Sequence, residues 1–244
     1  RTLQSEGIRE AVIVIGDRGE MIREAVEREP SIVMRLRFVT NLDFDKSNGV
    51  SLLAAAEFVD GPCLLTMADH LYSPEIVRCL QDMDLPTNCC ALAVDRDIAR
   101  CFDLDDATKV ALDVSGPSTG KQSHARIGRI GKQLVDYDCL DTGVFRIGPA
   151  LIEKLQGVYA QRGDCSLSDG VGALAAEGKM WACDVGDARW IDVDTPAAAQ
   201  RAEAMVHVFG DALGDEPEAT NSLDPTAMEL FAPSWVRAAK PYNE

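Results

Sequence analysis

Carboxylate side chains end two strand-like runs of the sequence. An apolar run that begins at Pro62 ends in Asp69, and a shorter run that begins at Trp190 ends in Asp192 and Asp194. Buried strands read as continuous hydrophobic runs, and in open α/β sheets ligands bind beyond the carboxyl ends of the strands. We therefore expect Asp69 to face a binding site. Carboxylates at two strand ends favour a hard divalent cation such as Mg²⁺, which proteins hold with one or two carboxylates together with substrate phosphates.

The composition excludes several classes of protein. A chain of 244 residues with 46% hydrophobic content can bury a core of one α/β domain, with or without an appendage. A formal net charge of −16 disfavours nucleic-acid binding, which requires Lys and Arg against the phosphate backbone. The same charge allows nucleotide binding in a local pocket that holds a metal ion and a few basic side chains. We therefore expect small phosphorylated ligands and no nucleic acid.

The cysteines and the hydrophobic runs indicate the cellular setting. Eight cysteines occur without Cys-x-x-Cys pairs or histidine-rich spacing, which argues against a zinc site. Several lie in apolar runs, where a free thiol behaves as a small hydrophobic side chain, so a reducing cytoplasm is the simplest setting. No run approaches the roughly 20 apolar residues that span a bilayer, and no signal peptide opens the sequence. We expect a cytoplasmic protein with no membrane span in this chain.

Strand-like and helical patterns alternate along the first 209 residues. Besides the run that ends at Asp69, we predict strands at 11–16, 34–40, 89–94, 109–114 and 140–147, and helices at 19–28, 48–59, 74–83 and 197–209. Such alternation predicts an α/β fold, a three-layer α/β/α sandwich with a mainly parallel, mixed sheet. Residues 115–126 are polar and contain Gly and Pro, so they predict a loop between two strands.

The composition changes after residue 209. Asp, Glu and Pro punctuate residues 210–244, and only 223–231 and 235–239 have the pattern of short helices. We therefore predict one domain over residues 1–209 and a linker or tail over 210–244, which could lead into a further domain.

Five short motifs occur in a characteristic order. They are Met-Ala-Asp-His at 67–70, Ala-Thr-Lys-Val at 107–110, Ile-Gly-Lys at 130–132, Asp-Thr-Gly-Val-Phe at 141–145 and Trp-Ile-Asp-Val-Asp-Thr-Pro at 190–196. Because these motifs occur in this order, the chain resembles nucleotidyltransferases of the glycosyltransferase-A-like fold, also called the nucleotide-diphospho-sugar transferase-like fold. The resemblance extends over about residues 1–206. Among these it is most similar to the CTP:inositol-1-phosphate cytidylyltransferases. Each motif alone is weak, but five in order are far more specific.

The resemblance implies a Mg²⁺-dependent transfer of CMP from CTP to a polyol phosphate such as inositol 1-phosphate, with release of pyrophosphate. The product would be a CDP-activated polyol for the synthesis of phospholipids or compatible solutes. This chemistry depends mostly on positioning and charge neutralisation, so the protein must supply a metal clamp and cations around the phosphates. The family also implies a possible fusion to a membrane CDP-alcohol phosphatidyltransferase.

The resemblance also implies residue roles. Asp69 and Asp192 would bind Mg²⁺, with Asp194 as the alternative to Asp192. Lys132 would contact the acceptor phosphate, and Lys109 would serve similarly. The remaining implied contacts fall in two groups: Asn48, Gly49, Ser51 and Ala68 for the nucleotide, and His70, Asp141, Thr142 and Gly143 for the acceptor.

The start of the chain departs from the family pattern. These enzymes carry a Gly-rich loop after their first strand, with a downstream lysine, and the loop holds the triphosphate. The sequence instead begins at Arg1 with residues that match the end of the helix after that loop. Residues 16–19 are a poor substitute, since they follow the second strand of the family and lack the lysine. We therefore expect the chain to lack a central strand and to be weakly active or inactive by itself.

Each candidate residue also has a purely structural interpretation. Asp69 could cap or turn into the helix at 74–83, and Asp194 could cap the helix that follows it. His70 could be a hydrogen-bonded structural histidine, and Lys109 and Lys132 could be solvated charges.

Other functions remain open at this stage. They are a sugar-1-phosphate nucleotidyltransferase that uses another nucleoside triphosphate, a choline- or phosphonate-specific cytidylyltransferase, and a non-catalytic nucleotide-binding remnant. A metal-dependent glycosyltransferase is a fourth class, because the pair Asp192 and Asp194 resembles its acidic motif, although the pair lies late in the chain.

Overall fold

A computed structural model of the chain describes residues 1–113, 124–210 and 213. The strands are β1 Glu10–Ile15, β2 Arg35–Thr40, β3 Cys63–Thr66, β4 His70–Tyr72, β5 Cys90–Asp95, β6 Lys109–Asp113, β7 Arg126–Gly131, β8 Cys139–Ile147, β9 Met180–Asp184 and β10 Trp190–Asp192. The α-helices are α1 Thr2–Ser5, α2 Gly19–Glu27, α3 Asn48–Ala54, α4 Pro74–Asp82, α5 Pro149–Arg162, α6 Leu167–Ala176 and α7 Pro196–Phe209. Two 3₁₀ turns, Ala56–Phe58 and Ile98–Arg100, complete the elements of the described part.

The strands form one large sheet and two small ones. The six-stranded sheet has the order β3-β8-β5-β9-β7-β6. Within it β5 and β9 are parallel, whereas β8 runs antiparallel to β3, β5 and β6, and β7 runs antiparallel to β6 and β9. Strands β1 and β2 form a separate parallel pair, and β4 and β10 form a separate antiparallel pair. The predicted α/β fold with a mixed sheet is confirmed, but the expectation that the sheet is mainly parallel is wrong, because β5 with β9 is the one parallel pair among the described pairings of the large sheet.

Helices cover both faces of the large sheet. Strand β5 is buried along its whole length, and its residues alternate between two hydrophobic clusters. Cys90, Leu92 and Val94 pack with residues of α3, α5 and α6, whereas Ala91 and Ala93 pack with residues of α4. Since side chains of a strand alternate between faces, these clusters are the two interfaces of a three-layer sandwich.

The predicted strand through Asp69 is divided in two. Strand β3 ends at Thr66, the N–H of Met67 still donates to the carbonyl of Gly143 at 2.9 Å, and a second strand starts at His70. Asp69 therefore lies in the turn between β3 and β4 instead of ending a strand. The reason is a change of partner, because β3 pairs with β8 of the large sheet and β4 pairs with β10.

Two of the cysteines are bonded to each other. A disulfide joins Cys79 of α4 to Cys183 of β9. The expectation of free thiols is wrong for this pair, because side-chain proximity across the helix–sheet interface is not visible in sequence spacing. The other described cysteines are free, and burial raises the pKa of Cys139 to about 12, so that this thiol stays protonated at neutral pH.

Two predicted features lie wholly or mostly outside the described residues. The predicted helices at 223–231 and 235–239 lie outside the described residues, as does most of the predicted loop at 115–126. Among the described helices, none combines the length and the apolar character that crossing a membrane requires.

Candidate active site

A cavity of about 310 Å³ lies where the turn before β4, strand β10 and the segment before β6 meet. Many of its lining residues carry charged side chains. The acidic ones are Asp69, Asp95, Asp103, Asp106, Asp141, Asp192 and Asp194, and the basic ones are Arg100, Lys132, Arg189 and Arg201, with His70 between them. Of the residues predicted from the sequence, Asn48, Asp69, His70, Lys132, Asp141, Gly143, Asp192 and Asp194 line this cavity.

The pairing of β4 with β10 brings the two predicted acidic segments together. His70 is the register partner of Asp192, and the N–H of Val193 donates to the carbonyl of Asp69 at 2.9 Å. As a result, ligand atoms of Asp69, His70 and Asp192 all lie within 4.8 Å of one another. Two carboxylates separated by more than a hundred residues in sequence thus form one cluster.

His70 lies at the centre of this cluster. Its Nδ1 forms a hydrogen bond of 2.8 Å with Oδ1 of Asp69 and lies 3.7 Å from Oδ1 of Asp192. Burial disfavours its protonation, but the hydrogen bond to Asp69 and the charges of Asp192 and Asp141 outweigh burial and raise the pKa of His70. The same hydrogen bond lowers the pKa of Asp69. The imidazole ring is stacked parallel to the indole of Trp190, with ring centroids 6.1 Å apart.

A tight turn in β8 places a third carboxylate against His70. Oδ1 of Asp141 accepts a hydrogen bond of 2.7 Å from the N–H of Gly143. Gly143 has a φ of +76°, and a Cβ at this position would lie 2.4 Å from the His70 ring. Burial raises the pKa of Asp141 to about 6, against the opposing effects of the Gly143 N–H and of His70. The turn therefore requires glycine both for its backbone conformation and for the space that His70 occupies.

Because the pKa of Asp141 is raised in the folded protein, we predict that the free energy of unfolding depends on pH. The folded chain binds the proton more tightly than the unfolded chain, so the native state loses stability as pH rises from about 4 to above 6. We expect Asp141→Asn, which keeps the acceptor oxygen for Gly143, to remove this loss. The free energy of unfolding of the variant, relative to that of wild type, should increase by about 2–3 kcal/mol between pH 4 and pH 7.5. Urea unfolding in EDTA at several pH values measures this difference, and a difference that stays constant with pH would contradict it.

Lys132 also lines the cavity and has an acidic partner. Its Nζ donates to both carboxylate oxygens of Asp106 at 2.8 Å. Carboxylate oxygens of Asp106, Asp192 and Asp194 also lie within 4.8 Å of one another. Asp106 was not predicted from the sequence, although it directly precedes the Ala-Thr-Lys-Val motif.

The carboxylates fit a hard divalent cation. Asp192 belongs to both groups of close carboxylates, and its buried Oδ1 accepts no hydrogen bond from any described residue. Burial raises the pKa of Asp192, and the nearby charges of Asp69, Asp194 and Asp106 raise it further. A cation bound to these oxygens would relieve both effects, and an all-oxygen carboxylate set is the type that Mg²⁺ prefers.

Helix capping does not explain Asp69 or Asp194. Helix α7 has Thr195 at its N-cap, whose side chain accepts a hydrogen bond of 3.1 Å from the N–H of Ala198. Helix α4 has Ser73 at its N-cap. Neither Asp194 nor Asp69 occupies a cap, which leaves both carboxylates facing the cavity.

Several predicted residues lie outside the cavity formed by the described residues. Lys109 is 7% exposed and its Nζ donates to the carbonyl of Asp105 at 3.0 Å. Thr142 is fully buried and donates to the carbonyl of Ala93 at 2.9 Å. These contacts hold the loop before β6 and the end of β5 in place, so the structure gives both side chains a structural partner instead of a ligand-facing position.

Of the four residues predicted to contact the nucleotide, one lines the cavity and three do not. Ser51 accepts a hydrogen bond of 3.1 Å from the side chain of Asn41, and neither Ser51 nor Ala68 lines the cavity among the described residues. Asn48 does line it, and its Oδ1 accepts a hydrogen bond of 2.8 Å from the N–H of Leu167. This bond fastens the start of α3 to the start of α6, and together they form one wall of the cavity.

Gly49 lies where these two helix starts touch. A Cβ here would lie 2.5 Å from the carbonyl oxygen of Cys165. We expect Gly49→Ala to lower the free energy of unfolding by about 1–3 kcal/mol, since the backbone must move to accept it. Gly157→Ala in α5 is the control, because nothing lies within 4 Å of its Cβ and alanine there should add about 0.5–1 kcal/mol. Urea unfolding measures both, and equal stability of the two variants would contradict the prediction.

A buried ion pair that the sequence did not indicate fixes Trp190. Oδ2 of Asp95 accepts hydrogen bonds from the Trp190 indole at 2.8 Å and from the Arg100 guanidinium at 2.9 Å. Arg100 also donates to carbonyls of the β9–β10 connection, including that of Ala188 at 2.9 Å. Asp95 is 2% exposed, so this network holds β10, and with it Asp192, in position.

Comparison with known proteins supports the fold and the resemblance. No protein-family model matches the chain. A solved structure, the inositol-1-phosphate CTP transferase from T. maritima, superposes with a TM-score of 0.68 over 94% of this chain and 78% of that one, at 20% identity. The predicted fold is confirmed by this superposition, and the sequence relatives described next confirm the predicted resemblance.

Two curated relatives are similar in sequence as well. One from Rubrobacter xylanophilus, named bifunctional IPC transferase and DIPP synthase, is 33% identical over 209 residues, 84% of this chain and 44% of the relative. One from Streptomyces rubellomurinus, named CMP-5'-(3-aminopropyl)phosphonate synthase, is 28% identical over 207 residues, 82% of this chain and 32% of the relative. The chain therefore spans less than half the length of either relative.

Proposed function

We propose that the chain is the cytidylyltransferase unit of a protein that transfers CMP from CTP to a polyol phosphate such as inositol 1-phosphate. The observation that carries the proposal is the cavity in which Asp69 and Asp192 lie within 4.8 Å of each other, with Lys132 on the same wall as Asp106. The named activities of the Rubrobacter and T. maritima proteins support this choice of substrates. The proposal places the reaction in the cytoplasm, where CTP is made.

The reaction requires the cavity to hold two anions next to each other. An oxygen of the acceptor phosphate attacks the α-phosphorus of CTP, and the bond from that phosphorus to the pyrophosphate oxygen breaks. We assign Lys132 to the acceptor phosphate and Asp141 to the acceptor hydroxyls. A buried carboxylate held by the Gly143 N–H is suited to orient such hydroxyls.

Asp69 and Asp192 would hold Mg²⁺, with Asp194 beside them. The ion would neutralise the negative charges of the phosphates, and the protein would position the phosphates. His70 orients the Asp69 carboxylate through its hydrogen bond and is itself confined by Gly143 and Trp190. In this scheme Lys109, Thr142 and Ser51 hold neighbouring segments in place through their hydrogen bonds, and Gly49 allows the starts of α3 and α6 to touch.

The triphosphate requires a binding element that the described residues do not include. The sequence contains no Gly-rich phosphate loop of the family type, and β1 and β2 are separate from the large sheet. We propose that a preceding strand and loop complete the domain, which covers residues 1–209, and that residues 210–244 link it to a further domain. The bifunctional name and greater length of the Rubrobacter relative support a fusion, and a membrane CDP-alcohol phosphatidyltransferase is the partner that we propose.

A phosphonate acceptor is the second candidate. The Streptomyces relative is named for a CMP-phosphonate product, and a phosphonate presents the same charged oxygens to Lys132 as a phosphate does. The two candidates differ in whether hydroxyl groups of the acceptor reach Asp141.

Pyrophosphate release tests the proposed function. We would compare this chain with a form extended at its amino terminus by the corresponding loop and strand of the Rubrobacter relative. CTP, UTP, GTP and ATP would each be paired with inositol 1-phosphate, glucose 1-phosphate or 3-aminopropylphosphonate, with and without Mg²⁺. We expect turnover with CTP and inositol 1-phosphate in the extended form, and much weaker turnover in this chain.

The other outcomes assign other functions. Turnover with glucose 1-phosphate and another nucleotide would identify a sugar-phosphate nucleotidyltransferase, and turnover with the phosphonate would favour the second candidate. Nucleotide binding without turnover in both forms would indicate a non-catalytic remnant and would overturn the proposed activity.

A further inference from the structure

The lysine that we assign to the acceptor phosphate already has an anionic partner. Lys132 and Asp106 form a two-oxygen contact with side chains that are 53% and 49% exposed. An exposed ion pair of this kind is weak, because water and salt compete with it. An arriving phosphate must nevertheless displace Asp106 from Lys132 or share the lysine with it.

Asp106 also lies next to the carboxylates that we assign to the metal ion. Its ligand oxygens fall within 4.8 Å of those of Asp192 and Asp194. Without a cation these three negative charges repel one another, and Lys132 is the positive charge that Asp106 contacts. A divalent cation bound to Asp192 would place a second positive charge near Asp106, and this charge would be twice that of Lys132.

The backbone around Asp106 is held while its side chain is exposed. Lys109, itself buried, donates to the carbonyl of Asp105, and the N–H of Ala107 donates to the carbonyl of Asp103 at 3.1 Å. Because both anchors are to backbone groups, the Asp106 carboxylate can change partner by rotation of its side chain without movement of the loop.

We propose that Asp106 is a positioning residue that couples the metal subsite to the phosphate subsite. Without a divalent cation Asp106 holds Lys132 as a counter-ion. When Mg²⁺ binds at Asp192, Asp106 is drawn to the cation, and Lys132 is released for the phosphate of the acceptor. The identity of that acceptor rests on the proposed function, whereas the coupling itself concerns only the phosphate group.

Equilibrium binding without CTP tests the coupling. We would titrate the chain with inorganic phosphate and with inositol 1-phosphate, followed by ³¹P NMR, in EDTA and in saturating Mg²⁺. The variants are Asp106→Asn, Asp105→Asn and Lys132→Met. Asp105 is the matched control, because its exposed side chain lies outside the cavity and its loss removes the same charge from the same loop.

In EDTA we expect Asp106→Asn to bind both phosphates about threefold more tightly than wild type, since the competing counter-ion is removed. In saturating Mg²⁺ the two proteins should converge. Asp105→Asn should follow wild type in both conditions. In the Lys132→Met background, Asp106→Asn should no longer change phosphate binding, an outcome that a purely structural role of Asp106 would not produce.

Three results would overturn the coupling: weaker phosphate binding by Asp106→Asn in EDTA, equal effects of Asp105→Asn and Asp106→Asn, or an Asp106→Asn effect that persists without Lys132. These results are distinct from a failure of the proposed function. Phosphate binding with the expected coupling but without pyrophosphate release would leave the inference standing and would remove the proposed activity.

Discussion

Replacement of Asp69 by alanine is expected to lower Mg²⁺-dependent pyrophosphate release about 10³-fold, or about 4 kcal/mol in activation free energy, in a form of the chain that turns over. Asp69 and Asp192 are the pair of close carboxylates on the two segments that β4 and β10 bring together. Loss of either carboxylate would leave too few negative charges to hold the cation in the cavity. Steady-state turnover and binding of Mn²⁺, followed by water proton relaxation, measure the effect.

The variants of Asp69 separate charge from hydrogen bonding. Asp69→Asn keeps an oxygen that accepts from His70 but lacks the charge, so it should lose metal binding nearly as fully as Asp69→Ala. Asp60→Ala removes an exposed carboxylate near the start of β3, outside the cavity, and should behave as wild type. Full turnover in Asp69→Ala, with a folded protein, would exclude Asp69 from the reaction.

Replacement of Gly143 by alanine is expected to lower the free energy of unfolding by about 2–4 kcal/mol and to weaken Mn²⁺ binding as well. Alanine would be strained at a φ of +76°, and its Cβ would overlap the His70 ring at 2.4 Å. Relief of that overlap moves His70, which orients Asp69. Urea unfolding and Mn²⁺ binding measure the two consequences.

Gly163 provides a control for the backbone strain alone. It ends α5 with a φ of +72°, and nothing lies within 4 Å of a Cβ built there. Gly163→Ala should therefore cost only about 1 kcal/mol, without an effect on metal binding. In addition, His70→Ala and Gly143→Ala should be less than additive in the double variant, because removal of the imidazole removes the overlap. Strict additivity would contradict the proposed clash.

Local patterns predicted some of the buried elements, although the buried strand β9 and helix α5 were not predicted. The apolar run of β5 and the amphipathic pattern of α4 are buried on the faces that their residues predict. Helix α6 was not predicted, although its N-terminus carries a capping box between Ser166 and Asp169. Its glycines lower its helix propensity, and one of them is required by packing, because a Cβ on Gly170 would lie 2.8 Å from Leu155. Tertiary packing therefore outweighed local propensity there.

The sequence by itself determined the α/β class, the approximate limits of the strands and helices that it indicated, and some of the acidic, lysine and glycine positions that line the cavity. The tertiary structure alone decided which of these side chains meet. It moved Asp69 from a strand end into a turn, turned Lys109 and Thr142 toward backbone carbonyls, and placed Asp106 against Lys132. The physical reason is that residue type and spacing specify local geometry. The approach of Asp69 to Asp192, in contrast, depends on the pairing of β4 with β10 across more than a hundred residues.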